Sequence, residues 1–269
     1  VIPAGMQGVS NTREVSRKPL ADGWQQLRFA TTENLPSYLV AFAVGPWDIV
    51  EAADIPPNAV RKTPLKLRGI AARGQGAKMK YVLDNTAAIV AAEEAYFGMP
   101  YPFDKLDLVA APDFSAGAME NPGLIVYRDS VLFTNEQSSV RERKYLWDAH
   151  THELAHQWFG DLVTMPWWDD VWLNESFASW FADKIVGEVN PGLHPERAQV
   201  ESGLRAMSGD SLATTRRIRE RETRETGLSH CADGPLRERT RVAPPPGEGE
   251  ARILHEDRLA EGGGGRRRL

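Results

Sequence analysis

Residues 151–160 read THELAHQWFG, and the interpretation of the whole chain starts from these ten residues. His152 and His156 are four positions apart, so on a helix their side chains lie one turn apart on the same face. Both imidazoles can then reach one metal ion, while Glu153 between them stays free to move a proton. The pattern predicts a helix that carries two metal ligands and a general base.

A third ligand is predicted at Glu175, which follows His156 after eighteen intervening residues. Catalytic zinc usually keeps three protein ligands and leaves a fourth position for water, and two histidines with one carboxylate are a standard set. Apolar residues after Glu175 recur at helical spacing, and Asn174 is a candidate N-cap. Glu175 is therefore predicted to open a second helix beside the first. For an isolated motif of this kind, a structural role in a solvated helix is the alternative.

A second motif, GAMEN, occupies residues 117–121. Together with the histidine motif and its spacing, it resembles the M1 family of zinc aminopeptidases, a gluzincin group that includes membrane alanyl aminopeptidases and leukotriene hydrolases. The resemblance extends from about Ser37 to about Ser208. It implies an α+β fold with a thermolysin-like zinc metallopeptidase catalytic domain. It also implies the removal of N-terminal amino acids from peptides.

The resemblance further implies a role for each motif residue. One Zn²⁺ per chain is expected on His152, His156 and Glu175, with Glu153 as the general base. Glu120 is expected to bind the free α-amino group of a peptide substrate, because an unpaired ammonium in a site that excludes water costs several kcal/mol. A capping or surface role is the alternative for Glu120. The neighbouring residues expected to line the substrate as an added edge strand are Gly117, Ala118, Met119 and Asn121.

Composition excludes several other classes of function. The 269-residue chain carries a net charge of −5, which gives no indication of a nucleic-acid partner. No apolar run approaches the roughly 20 residues that span a bilayer, so a soluble protein is expected. The single cysteine, Cys231, excludes an internal disulfide and leaves cytoplasmic, periplasmic and extracellular locations equally open. The preferred first residue of the substrate and the oligomeric state are likewise open.

The order of predicted elements divides the chain into three parts. Strands predicted at residues 24–30 and 38–50 assign residues 1–54 to the last strands of an N-terminal β domain. Residues 55–208 are assigned to the catalytic domain, incomplete at its C-terminal side. It has a strand at 64–70, a helix from Met79 to Tyr96, strands at 106–110 and 124–133, and the zinc helices last. Because the chain begins with Val1 rather than methionine, it is expected to start inside a longer protein, and the resemblance implies truncation at both ends.

Several acidic and aromatic residues, and a third histidine, lie near the histidine motif in the sequence. Asp161, Asp169 and Asp170 are candidate hydrogen-bond partners for the zinc histidines, and His150 lies on another face of the helix, so it is not expected to be a ligand. The aromatic side chains are predicted to be mostly core; they are Trp147, Trp158, Phe159, Trp167, Trp168, Trp172, Phe177, Trp180 and Phe181.

Residues 209–269 differ in composition from the rest of the chain. No aromatic ring of Phe, Tyr or Trp follows Phe181, and from Arg216 onward the only basic residues besides histidine are arginines. Few apolar side chains remain to bury, so a low-complexity, disordered tail is expected. Out-of-frame translation is one hypothesis for this change, and a tail that binds an acidic partner is the other. An uninterrupted reading frame from Leu204 to Glu225 in a resequenced locus would exclude the first.

The last tyrosine of the sequence is Tyr145. The resemblance implies a tyrosine downstream of the third zinc ligand that donates to the oxyanion, and loss of such a donor costs on the order of 10²–10³ in rate. Slow turnover is therefore expected. A zinc-binding fragment or a non-enzymatic binding module is the alternative to an active aminopeptidase.

Overall fold

A computed structural model of the chain describes residues 1–165 and 168–211, without the side chains of Trp168 and Val171. Helices and strands both contribute to the fold, which confirms the α+β prediction. Trp167 and residues 212–269, which include most of the predicted tail, lie outside the described residues. Among the described residues, no helix combines the length and apolarity needed to cross a lipid bilayer.

The first 45 residues form two small antiparallel sheets. β1 (Ile2–Pro3), β3 (Glu14–Pro19) and β4 (Trp24–Phe29) form one, and β2 (Gln7–Ser10) pairs with β5 (Phe42–Gly45) in the other. The strand predicted at residues 24–30 is confirmed by β4. The strand predicted at 38–50 is divided into a 3₁₀ turn at Ser37–Leu39, β5 and a further strand, β6 (Trp47–Glu51).

A five-stranded sheet forms the centre of the fold. Along it lie β6, β7 (Leu67–Ala72), β8 (Leu106–Ala111), β10 (Leu124–Arg128) and β9 (Ala118–Met119), in that order. The three middle strands are parallel, whereas β6 and β9 pair antiparallel at the two edges. The sheet therefore crosses the predicted domain boundary at residue 54.

The described residues contain five α-helices. They are α1 (Lys80–Phe97), α2 (Asp129–Leu132), α3 (Val140–His156), α4 (Val171–Val189) and α5 (Pro195–Asp210). The predicted helix from Met79 to Tyr96 is confirmed by α1, which ends at Gly98 in the left-handed conformation that glycine adopts without strain. A capping box at Ser139 and Glu142 fixes the start of α3.

Two of the predicted boundaries were wrong. The strand predicted at residues 124–133 ends at Arg128, because Asp129 accepts a hydrogen bond from the Ser130 amide and starts the short helix α2. The helix predicted to open with Glu175 begins at Val171, with Asp170 as its N-cap, so Asn174 lies inside the helix and is buried. Glu175 is therefore in the second turn of α4 rather than at its opening.

Both faces of the central sheet are buried, as parallel strands require. On one face, Leu106, Leu108 and Ala110 of β8 pack with apolar side chains of the helices. On the other face, Val109 packs with Val9 of β2 and with neighbouring strand residues. Because α3 and α4 contribute side chains to the first of these clusters, both helices lie on that side of the sheet. The histidine motif lies there as well.

Two adjacent glutamates of α1 are fully buried but differ in their partners. Glu94 accepts hydrogen bonds from Arg61 Nε at 2.8 Å, the Tyr101 amide at 2.8 Å and Asn58 Nδ2 at 2.5 Å. Neither carboxylate oxygen of Glu93 has a hydrogen-bond partner among the residues that the structure describes. Burial raises the pKa of Glu93, and the nearby charge of Glu94 adds to the effect. The folded protein therefore favours protonated Glu93.

Glu93→Met is expected to raise the free energy of unfolding, and more at pH 8 than at pH 5. Because the pKa of Glu93 in the folded state lies above its unfolded value near 4.5, the stability that the protonated group contributes is lost as the pH rises toward the folded pKa. Urea unfolding at the two pH values measures both effects. The matched control, Glu94→Met, is expected to lower the free energy of unfolding by about 3–5 kcal/mol, since Arg61 loses its buried partner. Equal effects of the two substitutions would show that Glu93 is not the unpaired member of this pair.

Candidate metal centre

Three side chains converge where α3 packs against α4. One ligand atom from each of His152, His156 and Glu175 lies within 4.8 Å of the other two. The His152 and His156 Nε2 atoms are 3.0 Å apart, and the Glu175 carboxylate lies 3.2 Å from His152 Nε2 and 4.0 Å from His156 Nε2. Ligand atoms about 2.0–2.1 Å from a tetrahedral zinc ion are about 3.3 Å apart. The observed spacing therefore fits such an ion.

Both histidines are held by their other ring nitrogen. His156 Nδ1 lies 3.1 Å from the carbonyl oxygen of Phe159, to which it can only donate, and His152 Nδ1 lies 3.3 Å from Ser179 Oγ. Such partners fix the ring orientation and direct Nε2 toward a metal. These contacts come from a loop carbonyl and from α4.

The aspartates predicted as histidine partners lie just beyond the end of α3 and just before the start of α4. Asp161 is buried and accepts a hydrogen bond from Gln157 Nε2 at 3.1 Å. The donor found for this carboxylate is therefore the Gln157 amide rather than a histidine of the motif. Asp169 and Asp170 lie in the 3₁₀ turn immediately before α4.

His150 lies on a different face of α3 from the two histidines of the motif, as predicted. It is buried between Thr86 Oγ1 at 3.0 Å and Tyr127 OH at 2.7 Å. Burial lowers the pKa of His150 to about 3. A neutral imidazole between two hydroxyl groups is a satisfied core residue, and His150 is not part of the group that could hold a metal.

Three acidic side chains, Glu120, Glu153 and Asp161, are buried near the two histidines. Glu153 is 1% exposed and Glu120 is 7% exposed. Burial raises the pKa of Asp161, and the charges of Glu120 and Glu153 raise it further. Three carboxylates close enough to interact make this part of the site a favourable environment for a cation.

The GAMEN motif forms the edge of the central sheet next to this acidic group. Ala118 and Met119 are β9, which pairs with β10 on one side, and no strand within the described residues pairs with its other edge. Glu120 and Asn121 follow in a buried loop. A free strand edge presents unpaired backbone N–H and C=O groups, which can bind an extended peptide by strand addition.

The structure places three further residues at the site that the motifs did not single out. Tyr145 precedes His152 by seven positions, which puts it on the same helix face, and its hydroxyl would lie 2.8 Å from a Cβ added to Gly117. Ser179 contacts His152, and Gln157 is fully buried between α3 and the GAMEN loop. Helical spacing could have identified Tyr145, but Ser179 and Gln157 depend on tertiary packing.

Seven of the nine aromatic side chains predicted to be mostly core are described: three are buried, two more pack against the same core, and Phe159 and Trp172 are half-buried. Trp158 and Phe181 are fully buried, and Phe97 of α1 stacks on Trp158 with ring centroids 5.2 Å apart. Phe177 stacks on Phe181 at 5.5 Å. This layer of rings joins α1, α3 and α4 and so fixes the positions from which the histidines and Glu175 project.

Gly160→Ala is expected to reduce zinc affinity and to lower the free energy of unfolding by about 1–3 kcal/mol. Gly160 has φ 131°, and an added Cβ would lie 2.6 Å from Asn174 Oδ1 and 3.0 Å from His156 Nδ1. The matched control is Gly187→Ala in α4, where the added Cβ would make an ordinary contact 3.5 Å from Pro195. That control is expected to stabilise the fold by about 0.5–1 kcal/mol. Thermal unfolding with and without zinc tests both, and full zinc affinity in Gly160→Ala would contradict the expectation.

Comparison with known proteins gives one consistent result. The model of the peptidase family M1 domain matches residues 81–231, which is more than half of the chain. The chain is 38% identical over 205 residues to puromycin-sensitive aminopeptidase of Caenorhabditis elegans, covering 74% of this chain and 21% of that protein. It is 37% identical over 205 residues to endoplasmic reticulum aminopeptidase 1 of Rattus norvegicus, covering 76% of this chain and 21% of that protein.

A plant relative shows the same pattern. Aminopeptidase M1-C of Oryza sativa subsp. japonica is 36% identical over 218 residues, which cover 81% of this chain and 24% of the relative. The chain thus spans about a fifth to a quarter of the length of these curated relatives. Since the matched family domain includes the converging histidines, Glu175 and the GAMEN edge strand, the chain belongs to peptidase family M1.

Proposed function

We propose that this chain is a zinc-dependent aminopeptidase, which hydrolyses the N-terminal peptide bond of peptides with a free amino group. Membership of family M1 and relatives named aminopeptidases support a peptidase. The observation that supports zinc dependence and cleavage of the N-terminal bond is the convergence of His152, His156 and Glu175 beside two further buried glutamates. On this proposal residues 55–208 are the catalytic unit, and residues 1–54 support it.

The donor set suits zinc and gives it a defined chemistry. Two imidazole nitrogens and one carboxylate oxygen are a standard catalytic zinc set, and zinc bound there would polarise the substrate carbonyl and lower the pKa of a water toward about 7. The phenylalanine carbonyl and serine hydroxyl behind the histidines keep both Nε2 atoms directed at the same point. The roles of the other side chains follow from their position around that point.

Glu153 is proposed as the general base. It follows His152 directly in α3, is buried, and lies close enough to Asp161 to influence its pKa. A carboxylate there can accept a proton from the attacking water and return it to the nitrogen of the leaving peptide. Because both transfers use the same side chain, loss of its basicity should affect turnover and spare metal binding.

Glu120 is proposed to select substrates by their free amine. It lies in the loop after β9, close enough to Asp161 for its negative charge to raise the pKa of that side chain, as the charge of Glu153 also does. The substrate ammonium would pair with Glu120 while its backbone adds to the free edge of β9. A fixed separation between the amine and the metal then places the first peptide bond, rather than a later one, in the reacting position.

Glu153→Gln is expected to keep one zinc per chain and to lower the turnover of aminoacyl p-nitroanilides by about 10²–10⁴-fold. Zinc is measured by inductively coupled plasma mass spectrometry, and turnover is measured with and without a chelator. Glu136→Gln on an exposed loop is the matched control and should behave as the wild type. Acetylation of the substrate amine should suppress cleavage.

The outcomes separate the two hypotheses raised by the sequence. Chelator-sensitive turnover that needs Glu153 supports the aminopeptidase. One zinc per chain without turnover in the wild type would instead support a zinc-binding fragment or binding module. Turnover that persists after zinc is removed would contradict the assignment of the metal centre.

A further inference from the structure

We infer that Gln157 is a positioning residue that holds the loop bearing Glu120 at a fixed distance from the zinc helix. This inference rests on the proposed function, because it concerns how the amine site is placed relative to the metal site. Gln157 follows His156 at the C-terminal end of α3 and is fully buried. It is not one of the ligands or of the proposed proton-transfer groups.

Both polar atoms of the Gln157 side-chain amide have hydrogen-bond partners. Oε1 accepts from Tyr101 OH at 2.9 Å and from the Gly123 amide at 3.1 Å. Nε2 donates to the Glu120 carbonyl at 2.9 Å and to Asp161 Oδ2 at 3.1 Å. A backbone carbonyl can only accept and a backbone N–H can only donate, so this arrangement fixes the orientation of the amide.

These bonds place the Gln157 amide across the mouth of the loop formed by residues 120–123. The carbonyl of Glu120 and the N–H of Gly123 are the two ends of that loop, and both bond to Gln157. A buried amide that spans a loop in this way resists its opening, since opening would leave a buried polar group at either end without its partner. Gln157 thus joins the loop to the helix that carries both histidines.

Two further side chains donate hydrogen bonds to the same loop. Asn11 Nδ2 donates to the Pro122 carbonyl at 3.0 Å, and Lys105 Nζ donates to the Gly123 carbonyl at 2.6 Å. Gly123 has φ 68°, and a Cβ there would lie 2.5 Å from the Asn11 carbonyl oxygen. These hydrogen bonds connect the loop to the residues that follow β2 and precede β8. Gln157 is the anchor that ties it to the metal centre.

The separation between amine and metal decides which peptide bond reacts. A misplacement of about 1 Å can lower the rate by about 10²-fold. If Gln157 sets that separation, its loss should weaken ligands that use both sites and leave ligands that use the metal alone unaffected. A residue with only a structural role would affect both kinds of ligand equally.

The probes are leucine hydroxamate and its N-acetyl derivative, measured by calorimetry on the zinc-loaded full chain. Both can bind zinc, but only the first carries a free amine. The wild type is expected to bind the free-amine form more tightly by about 10-fold or more, as for a buried charge pair. Gln157→Leu is expected to lower this ratio to about 2-fold or less while keeping one zinc per chain.

Two further variants make the test specific. Gln157→Glu keeps the size and the acceptor of the side chain but loses the donor to Glu120, so the ratio should fall as in Gln157→Leu even if the leucine variant folds poorly. Thr86→Val is the matched control, because it removes a buried hydrogen bond from the His150 face of the same helix without touching the loop. Its ratio should match that of the wild type.

A double substitution shows whether Gln157 acts through Glu120. Glu120→Ala should abolish the preference for the free amine, and adding Gln157→Leu should change it no further. Additive effects, or a wild-type ratio in both Gln157 variants, would overturn the role of Gln157 and leave the proposed function intact. Equal binding of the two hydroxamates by the wild type would overturn the proposed function itself, and with it this inference.

Discussion

Helix α3 packs against α4, and the candidate metal centre depends on this contact. It brings Glu175 to 3.2 Å from His152, and Ser179 of the same helix to 3.3 Å from the other nitrogen of that ring. One helix thus supplies both a ligand and a support for a ligand of its neighbour. Phe97 of α1 stabilises this pair, because its ring stacks on Trp158 and contacts Phe181 in a tilted arrangement. Without the helix contact, the two histidines alone could not form a three-ligand site.

Hydrogen bonds between buried groups hold α3 on two sides. Thr86, Tyr127 and His150 form a hydrogen-bonded group behind α3, while Gln157 joins the end of that helix to the GAMEN loop. Breaking a satisfied buried bond leaves an unpaired group, which costs about 1–3 kcal/mol. The helix is therefore held on both its core face and its loop side. Rigid placement of this kind is what hydrolysis of one particular peptide bond requires.

Sequence reasoning predicted the parts of the site that depend on local geometry. The separation of His152 and His156 by one helical turn follows from their spacing, and the strands on either side of GAMEN follow from short apolar runs, whereas the edge-strand role of GAMEN was implied by the family resemblance. The start of α4 was misplaced because Asn174 has the chemistry of an N-cap, although residues 171–173 already belong to the helix.

Partners that come from distant parts of the chain were harder to predict. His156 Nδ1 contacts a backbone carbonyl and His152 Nδ1 contacts a serine hydroxyl, and neither partner can be identified from composition. The role of Gln157 depends on contacts 34 to 56 positions away in the chain, and no local pattern records those.

Whether His152, His156 and Glu175 hold one zinc ion can be measured by X-ray absorption at the zinc K-edge of the purified chain. If they do, the spectrum should show four light-atom ligands at about 2.0–2.1 Å, with multiple scattering from two imidazole rings. Glu175→Ala should remove one protein oxygen from this shell, while both imidazole signals persist. A sulfur ligand at about 2.3 Å, or a zinc shell with fewer than two imidazoles, would contradict the assignment of these three ligands.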